Sequence, residues 1–406
     1  MGRLLFLAHR LPYPPDKGDR IRSWHILEHL ARNWEIELGC LSDDAADQDH
    51  LPAMRRICGV VECVPVRLGL AAATRALARA RPGLPLTLGW FYASRLRDWV
   101  WAGLAAGRYD AVFVYSSAMA QYVMGGPGKV PRSILDLVDV DSEKWLAYAA
   151  DARPPRQQLW AREARTLLAY ERRSAAAFDR TILVSEAERN RFAALAPEVA
   201  SRSDWVDNGV ELSRFNPVLE FENPYSYQGC VQAPALVFTG TMDYRPNIQA
   251  VLWFAQEVMP LLRQADWQGR AAPEFHIVGA RPSEAVRALA AMPDVHVTGR
   301  VADTRPYIAH AAMAVAPLVI ARGIQNKVLE AMALGRPVIA STAAFEGVRA
   351  TPGQDLLVAD GALATAQAIA AVLGGMHPGL GRAGRAAVER GHDWGVTLQR
   401  LDGMLA

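Results

Sequence analysis

The chain has 406 residues, half of them hydrophobic and a fifth charged, with a formal net charge of +2. That length is natural for two domains with ample core material, and so small a net charge leaves no global field of the kind that holds nucleic acid. No apolar run reaches the roughly 18 residues that span a bilayer. The first apolar run, Leu4-Leu-Phe-Leu-Ala8, is too short for a signal peptide and reads as a strand, so the chain is expected to stay in the cytoplasm. Cys40, Cys58, Cys63 and Cys230 form no Cys-x-x-Cys pair, and the histidine spacing offers no zinc pattern; free buried thiols are expected.

In chain order, short apolar runs at 4–8, 36–41, 111–115, 133–137 and 180–185 read as buried strands, separated by Ala/Leu/Arg-rich stretches long enough for helices. That alternation predicts a parallel sheet with crossover helices over 1–206. An Asn-Gly turn at Asn208, Pro217, Pro224 and Pro234 mark 207–233 as a linker. A second α/β series follows over 234–385, with strands at 235–239, 274–278, 295–298, 312–317 and 337–341. The tail, 386–406, has apolar residues at helical spacing. Two such halves suggest a ligand clamped at strand C-termini.

The segment Arg322-Gly-Ile-Gln-Asn-Lys327-Val-Leu-Glu330 carries the strongest chemistry. Gly323 lets the backbone approach a ligand. A helix is expected from Gln325 or Asn326 to Gly335, with Pro337 just beyond. Its N-terminus suits a phosphate. Lys327 adds a full positive charge, and Glu330, on the same face, can accept hydrogen bonds from a ribose diol. The plain alternative is a Lys–Glu pair opening an ordinary helix.

This segment resembles the signature of glycosyltransferase family 4, in which two glutamates flank seven residues before an Ala-Met-Ala-x-Gly-x-Pro-Val run. Glu330 matches the second glutamate; Arg322 stands at the first, which in the family contacts the transferred sugar. The resemblance extends to His9-Arg-Leu-Pro-Tyr-Pro-Pro-Asp-Lys-Gly18, where Lys17-Gly18 replaces the usual glycine pair ahead of a helix striped with Ile21, Trp24, Leu27 and Ala31. It extends also to Thr239-Gly240-Thr-Met-Asp-Tyr-Arg245, whose Arg245 is expected at the donor phosphates, and to the turns ending at Arg281 and at Arg300-Val301. Backbone near Arg300 and Val301 is expected to read the nucleobase. Asp303 is expected to cap a helix.

In the first half, Asp136, Asp139 and Asp141 follow a strand. Carboxylates there can orient an acceptor hydroxyl or accept its proton, and Asp139 is the first choice. The run resembles the catalytic-loop region of sugar transferases associated with exosortase and exopolysaccharide (PEP-CTERM) systems. Between Val66 and Arg108, seven arginines face one acid, with five aromatics interleaved, a pattern that suits an anionic membrane surface.

The resemblance implies a GT-B fold: two Rossmann-like domains across a cleft, with a C-terminal helix crossing back to the first. It implies a glycosyltransferase that moves a sugar, with retention, from a nucleotide-diphosphate sugar to a hydroxyl, the acceptor being a lipid-linked saccharide of exopolysaccharide biosynthesis. The donor site would comprise Gly18, Gly240, Arg322, Gly323, Ile324, Asn326, Lys327, Glu330, Arg300 and Val301, and the catalytic groups would be Asp139, Lys327 and Arg245. No metal or other cofactor is expected, since Lys327, Arg245 and helix N-termini supply the charge. A peripheral position on the inner face of the cytoplasmic membrane is the corresponding expectation. Two other readings share the fold: a nucleotide-sugar epimerase and a non-catalytic sugar-binding protein.

Overall fold

Strands covered by helices on both faces read as continuous apolar runs rather than as alternating ones. β1 (Gly2–Ala8) shows the pattern directly, with Leu4, Leu5, Phe6 and Leu7 all fully buried. The computed structural model describes residues 1–15, 18–66, 69–128, 132–225, 233–321 and 323–405. It divides into two units, Met1–Asp207 with Leu398–Ala406, and Asn208–Thr397. The helix Leu380–Gly391 lies in the second unit and the short last helix, Gln399–Leu405, in the first.

The first unit continues with β2 (Trp34–Ser42), β3 (Val60–Pro65), β4 (Ala111–Tyr115), β5 (Ser133–Val138), β6 (Arg180–Leu183) and β7 (Ser203–Trp205). They form one parallel sheet in the order β3-β2-β1-β4-β5-β6-β7. The chain reverses its direction of travel between β1 and β4. In open sheets of this kind ligands bind beyond the strand C-termini at that switch point. The helix after β1, Gly18–Leu30, departs from the expected stripe: Ile26, Leu27 and Leu30 are its fully buried apolar residues, while Ile21 and Trp24 are only half-buried. Trp24 packs instead on Tyr13, with ring centres 5.0 Å apart.

The second unit repeats the plan with β8 (Ala235–Thr239), β9 (Glu274–Val278), β10 (Val295–Gly299), β11 (Met313–Ala316), β12 (Val338–Ala340) and β13 (Leu357–Val358). Its order is β10-β9-β8-β11-β12-β13, again parallel, with the switch between β8 and β11. Each unit has its own apolar core.

Three strands lie outside the sequence expectation: β3, β7 and β13. All three are sheet edges. An edge strand has one neighbour and less to bury, so its sequence carries a weaker apolar signal; β3 keeps only Val64 fully buried.

Two glycines allow the turns at the C-terminal edge of the second sheet to pack closely. The turns after β8 and β9 come so close that a Cβ on Gly279 would sit 1.7 Å from the Gly240 carbonyl oxygen. A Cβ on Gly240 would meet the Asn247 amide nitrogen at 2.7 Å. At Gly279 backbone meets backbone, which leaves no flexible group to give way. Gly279→Ala is therefore expected to destabilise the second unit by roughly 2 kcal/mol or more, read as a lower urea midpoint; an unchanged midpoint would show that the two turns separate freely.

Candidate donor and acceptor sites

In the second unit the helix Asn326–Ala333 follows the loop after β11. Val328, Leu329, Ala331, Met332 and Ala333 are buried on the core. Burying side chains of this size contributes roughly 1.5–3 kcal/mol for each large one, which fixes the helix's rotation and turns Lys327 and Glu330 to the other face. Gly323, at φ 61°, occupies the left-handed region that glycine tolerates, and it is buried together with Ile324. The Gln325 side-chain amide donates to the Gly323 carbonyl at 3.2 Å. Asn326 accepts from the Asn208 amide at 3.3 Å, which ties the helix start to the Asn-Gly turn. Arg322 lies outside the described residues.

Lys327 Nζ donates to Asn247 Oδ1 at 2.8 Å and stands 4.6 Å from the centre of the Phe238 ring. Among the described residues no carboxylate lies within ion-pair distance of it. Its side chain lines a small void with Val237, Thr239 and Ala316. Burial pushes the ammonium down to about 8, against an upward pull from Glu330. Burial likewise pushes the Glu330 carboxyl up to about 7, and Arg214 and then Lys327 draw it back down.

Asn247 is held by its own amide, which donates to the Thr241 carbonyl at 3.0 Å. It lies in the first turn of the helix that Arg245 opens. Gly240, Asn247 and Lys327 therefore meet where β8 ends, beside the switch point, and Arg245 opens the same helix two residues before Asn247. Arg300 is exposed and Val301 half-buried in the turn after β10, whose Gly299 carbonyl accepts from Gly279. Asp303 accepts from the Arg305 backbone N–H at 2.9 Å and pairs with its guanidinium; it stands one residue before the helix N-cap, Thr304, whose own side chain makes no capping bond.

In the first unit the structure separates the three aspartates. Asp136 is fully buried and holds Arg22, also buried, at 2.8 Å; Arg22 donates further to the Val206 carbonyl at 2.7 Å. That pair stitches the helix after β1 to β5 and β7. Asp141 opens a helix and bonds Lys144 at 2.9 Å. Asp139 offers Oδ2 to Lys144 at 2.8 Å, while its Oδ1 is buried with no hydrogen-bond partner. The backbone just before it is strained: Val138, a β-branched residue, sits at φ 67°. Such a conformation costs on the order of 1–3 kcal/mol and persists only where neighbours enforce it. Here Asp136 Oδ1 accepts the Val138 N–H at 2.9 Å and the Val138 carbonyl accepts from Val184 at 2.7 Å.

Two further carboxyls surround this loop. Glu171, fully buried, accepts the Ser142 hydroxyl at 2.6 Å, and burial pushes it up to about 8. Glu188 accepts the Val140 N–H at 2.9 Å, and burial raises it too. Gly18, exposed, is the first residue of the helix after β1; residues 16 and 17 lie outside the described residues.

The expected basic face over 66–108 is largely occupied internally. Arg95 pairs with Glu62 at 2.7 Å, Arg97 with Asp98 at 2.6 Å, and Arg79 lies 3.4 Å over the Tyr92 ring. Trp101 donates to the Tyr122 carbonyl at 3.1 Å. Arg67 lies outside the described residues. Among the described residues no helix is long and apolar enough to cross a membrane.

Sequence reasoning did not find Asn247, Arg214, Lys144, Glu171 or Glu188. Asn247 was within reach, three residues past the Tyr244 turn. Arg214 falls in the stretch expected to be a linker, and no spacing links it to Glu330.

With this geometry in hand, residues 233–374 match the family described as glycosyl transferases group 1. No curated protein matches at a significant level. Among solved structures, a sucrose-phosphate synthase from Thermosynechococcus elongatus is 18% identical at a TM-score of 0.66, covering 100% of this chain and 98% of its own. HepE of Anabaena, solved with UDP and glucose, is 15% identical at 0.70, covering 100% and 99%. WaaG, a glycosyltransferase involved in lipopolysaccharide biosynthesis, is 14% identical at 0.64, covering 99% of both chains. These are likenesses of fold, and the fold is GT-B. The domain match and the fold together define the class: the protein is a glycosyltransferase.

The Lys327 geometry yields a stability test. Burial penalises the ammonium, so the folded protein gives up this proton earlier than the unfolded chain. The cost is fully present below about pH 8 and fades as pH rises toward the ordinary lysine value of 10.5. Lys327→Met should stabilise the ligand-free protein at pH 7, by on the order of 1–2 kcal/mol after losing the Asn247 bond. The gain should shrink between pH 8 and pH 10.5 in thermal melts; a pH-independent gain would contradict the buried ammonium.

Proposed function

We propose that the second unit binds a nucleoside-diphosphate sugar and that the protein transfers its glycosyl group to a hydroxyl of a lipid-linked saccharide. The observation that carries this reading is Lys327, a desolvated ammonium held by the neutral amide of Asn247. Such a group is poised for an anion that the protein does not supply. A diphosphate seated at the Gly323 loop gains the charge of Lys327 and Arg245, the N–H groups at the helix start, and Glu330 one turn on for the ribose diol. The HepE structure, solved with UDP and glucose, supports the same ligand class.

In the transfer, the bond from the anomeric carbon to the diphosphate oxygen breaks, a bond to the acceptor oxygen forms, and the hydroxyl proton passes to the departing diphosphate. Negative charge grows on the departing diphosphate, where preorganised cations have their largest effect. Lys327 and Arg245 fill that role with no metal needed for it. Asp139 Oδ1, buried and unpaired, is the group that orients the acceptor hydroxyl. The family resemblance supports retention, with the leaving phosphate assisting attack from the same face. It also supports a place in exopolysaccharide assembly at the inner face of the cytoplasmic membrane, which the 66–108 aromatics and remaining arginines would meet. Arg322, in place of the sugar-contacting carboxylate, favours an acidic or otherwise unusual donor sugar.

Calorimetry with a panel of nucleotides and nucleotide sugars, followed by assay of released diphosphate, tests this reading. Lys327→Ala should weaken nucleoside-diphosphate binding at least tenfold, and unchanged affinity would place the donor elsewhere. Asp139→Asn should lower kcat while leaving diphosphate affinity intact; a matching loss of affinity would remove Asp139 from the acceptor side. Epimerisation without acceptor, or binding without turnover across acceptors, would contradict transfer. Equal use of neutral glucosyl donors would contradict the role given to Arg322.

A further inference from the structure

At the other edge of the second sheet, strand register gathers three ligand-type side chains. Glu274 and His276 are two apart on β9, so both point to the same face. His296 on the edge strand β10 pairs directly with His276. One donor atom from each of the three lies within 4.8 Å of the others. Glu274 Oε2 is the hub: it stands 2.9 Å from His296 Nε2 and 3.7 Å from His276 Nε2. Two ligands bound at about 2.1 Å to a tetrahedral ion stand roughly 3.4 Å apart, and those two separations bracket that value.

We propose that Glu274, His276 and His296 form a binding site for a divalent transition-metal ion, Zn2+ in the first place, that clips the edge strand to the sheet. A two-imidazole, one-carboxylate donor set suits Zn2+ and leaves a fourth position for water. The site comes partly prepared. His276 is mostly buried, with the Tyr225 ring packed against it at 4.6 Å between centres. Tyr225 is itself anchored by its hydroxyl on the Tyr307 carbonyl at 2.6 Å. The two imidazoles stack at 4.5 Å and 15°. Converging their Nε2 atoms takes a rotation of the exposed His296 about its soft terminal torsion, which is inexpensive.

The cluster lies toward the start of β9 and β10, whereas the Gly240, Gly279 and Gly299 turns lie at the strand C-termini. The ion is accordingly structural, holding a sheet edge, and is no part of the donor chemistry. The proposal stands independently of the function assigned to Lys327.

Metal-stripped protein titrated with ZnCl2 by calorimetry, with the thermal midpoint followed alongside, is the test. Co2+ serves as a coloured probe of coordination. The wild-type chain should take up one Zn2+ at this cluster with a rise in midpoint, and Co2+ should give visible bands of a four-coordinate site. His296→Gln and Glu274→Gln, both at substantially exposed positions, should keep the wild-type circular dichroism, weaken Zn2+ binding tenfold or more and remove the midpoint rise. No uptake by the wild type would overturn the proposal. So would equal affinity in both variants, which would put the ion elsewhere, for example on the thiols of Cys40 and Cys63.

Discussion

The second unit is organised around an ammonium group that its own residues do not neutralise. Lys327 has a neutral amide and an aromatic face as partners, with Glu330 one helical turn away. Folding the chain this way costs stability, because the charge loses water without gaining a carboxylate. The apolar side of the same helix offsets that cost, since Val328, Leu329 and Met332 lock it onto the sheet. On the proposed function the result is a preformed anion receptor, its price in stability met by packing.

Topology explains why such a group can be held there. In both units a parallel sheet is doubly wound and its order reverses once, between β1 and β4 or between β8 and β11. Loops at that reversal diverge to opposite faces and leave a crevice that needs small residues and short turns. In the second unit Gly240 follows β8 at that reversal, and Gly279, after the neighbouring β9, lets the two turns close on each other. In the first, the strained Val138 and the buried Arg22–Asp136 pair direct the chain after β5 so that Asp139 leaves the strand with one oxygen unpaired. In the first unit the strain at Val138 thus sits at a strand C-terminus, next to Asp139.

Much of this was legible in the amino-acid order. The central strands carry unbroken apolar runs, and the Gly323–Glu330 segment has the glycine, cation and carboxylate at spacings that a helix start makes meaningful. The edge strands β3, β7 and β13 were not legible, because a strand with one neighbour need not be strongly apolar. Asp136, Asp139 and Asp141 look alike in sequence; only three-dimensional pairing assigns the first to Arg22 and leaves the second with a free oxygen. The partners of Lys327 and Glu330, Asn247 and Arg214, are separated from them by some eighty and more than a hundred residues, beyond any local pattern. The histidine and glutamate cluster was invisible for the same reason: cross-strand register, not spacing along the chain, brings His296 to His276.

The proposed function depends above all on Lys327 being a desolvated cation that takes an anionic ligand. The most direct measurement is the titration of its Nζ by nitrogen NMR, assigned with the Lys327→Ala variant, without and with saturating UDP or GDP. The account predicts a midpoint near 8 in the free protein and a clear upward shift once the diphosphate is bound. An ordinary lysine midpoint in the free protein, or one that neither nucleotide moves, would contradict it.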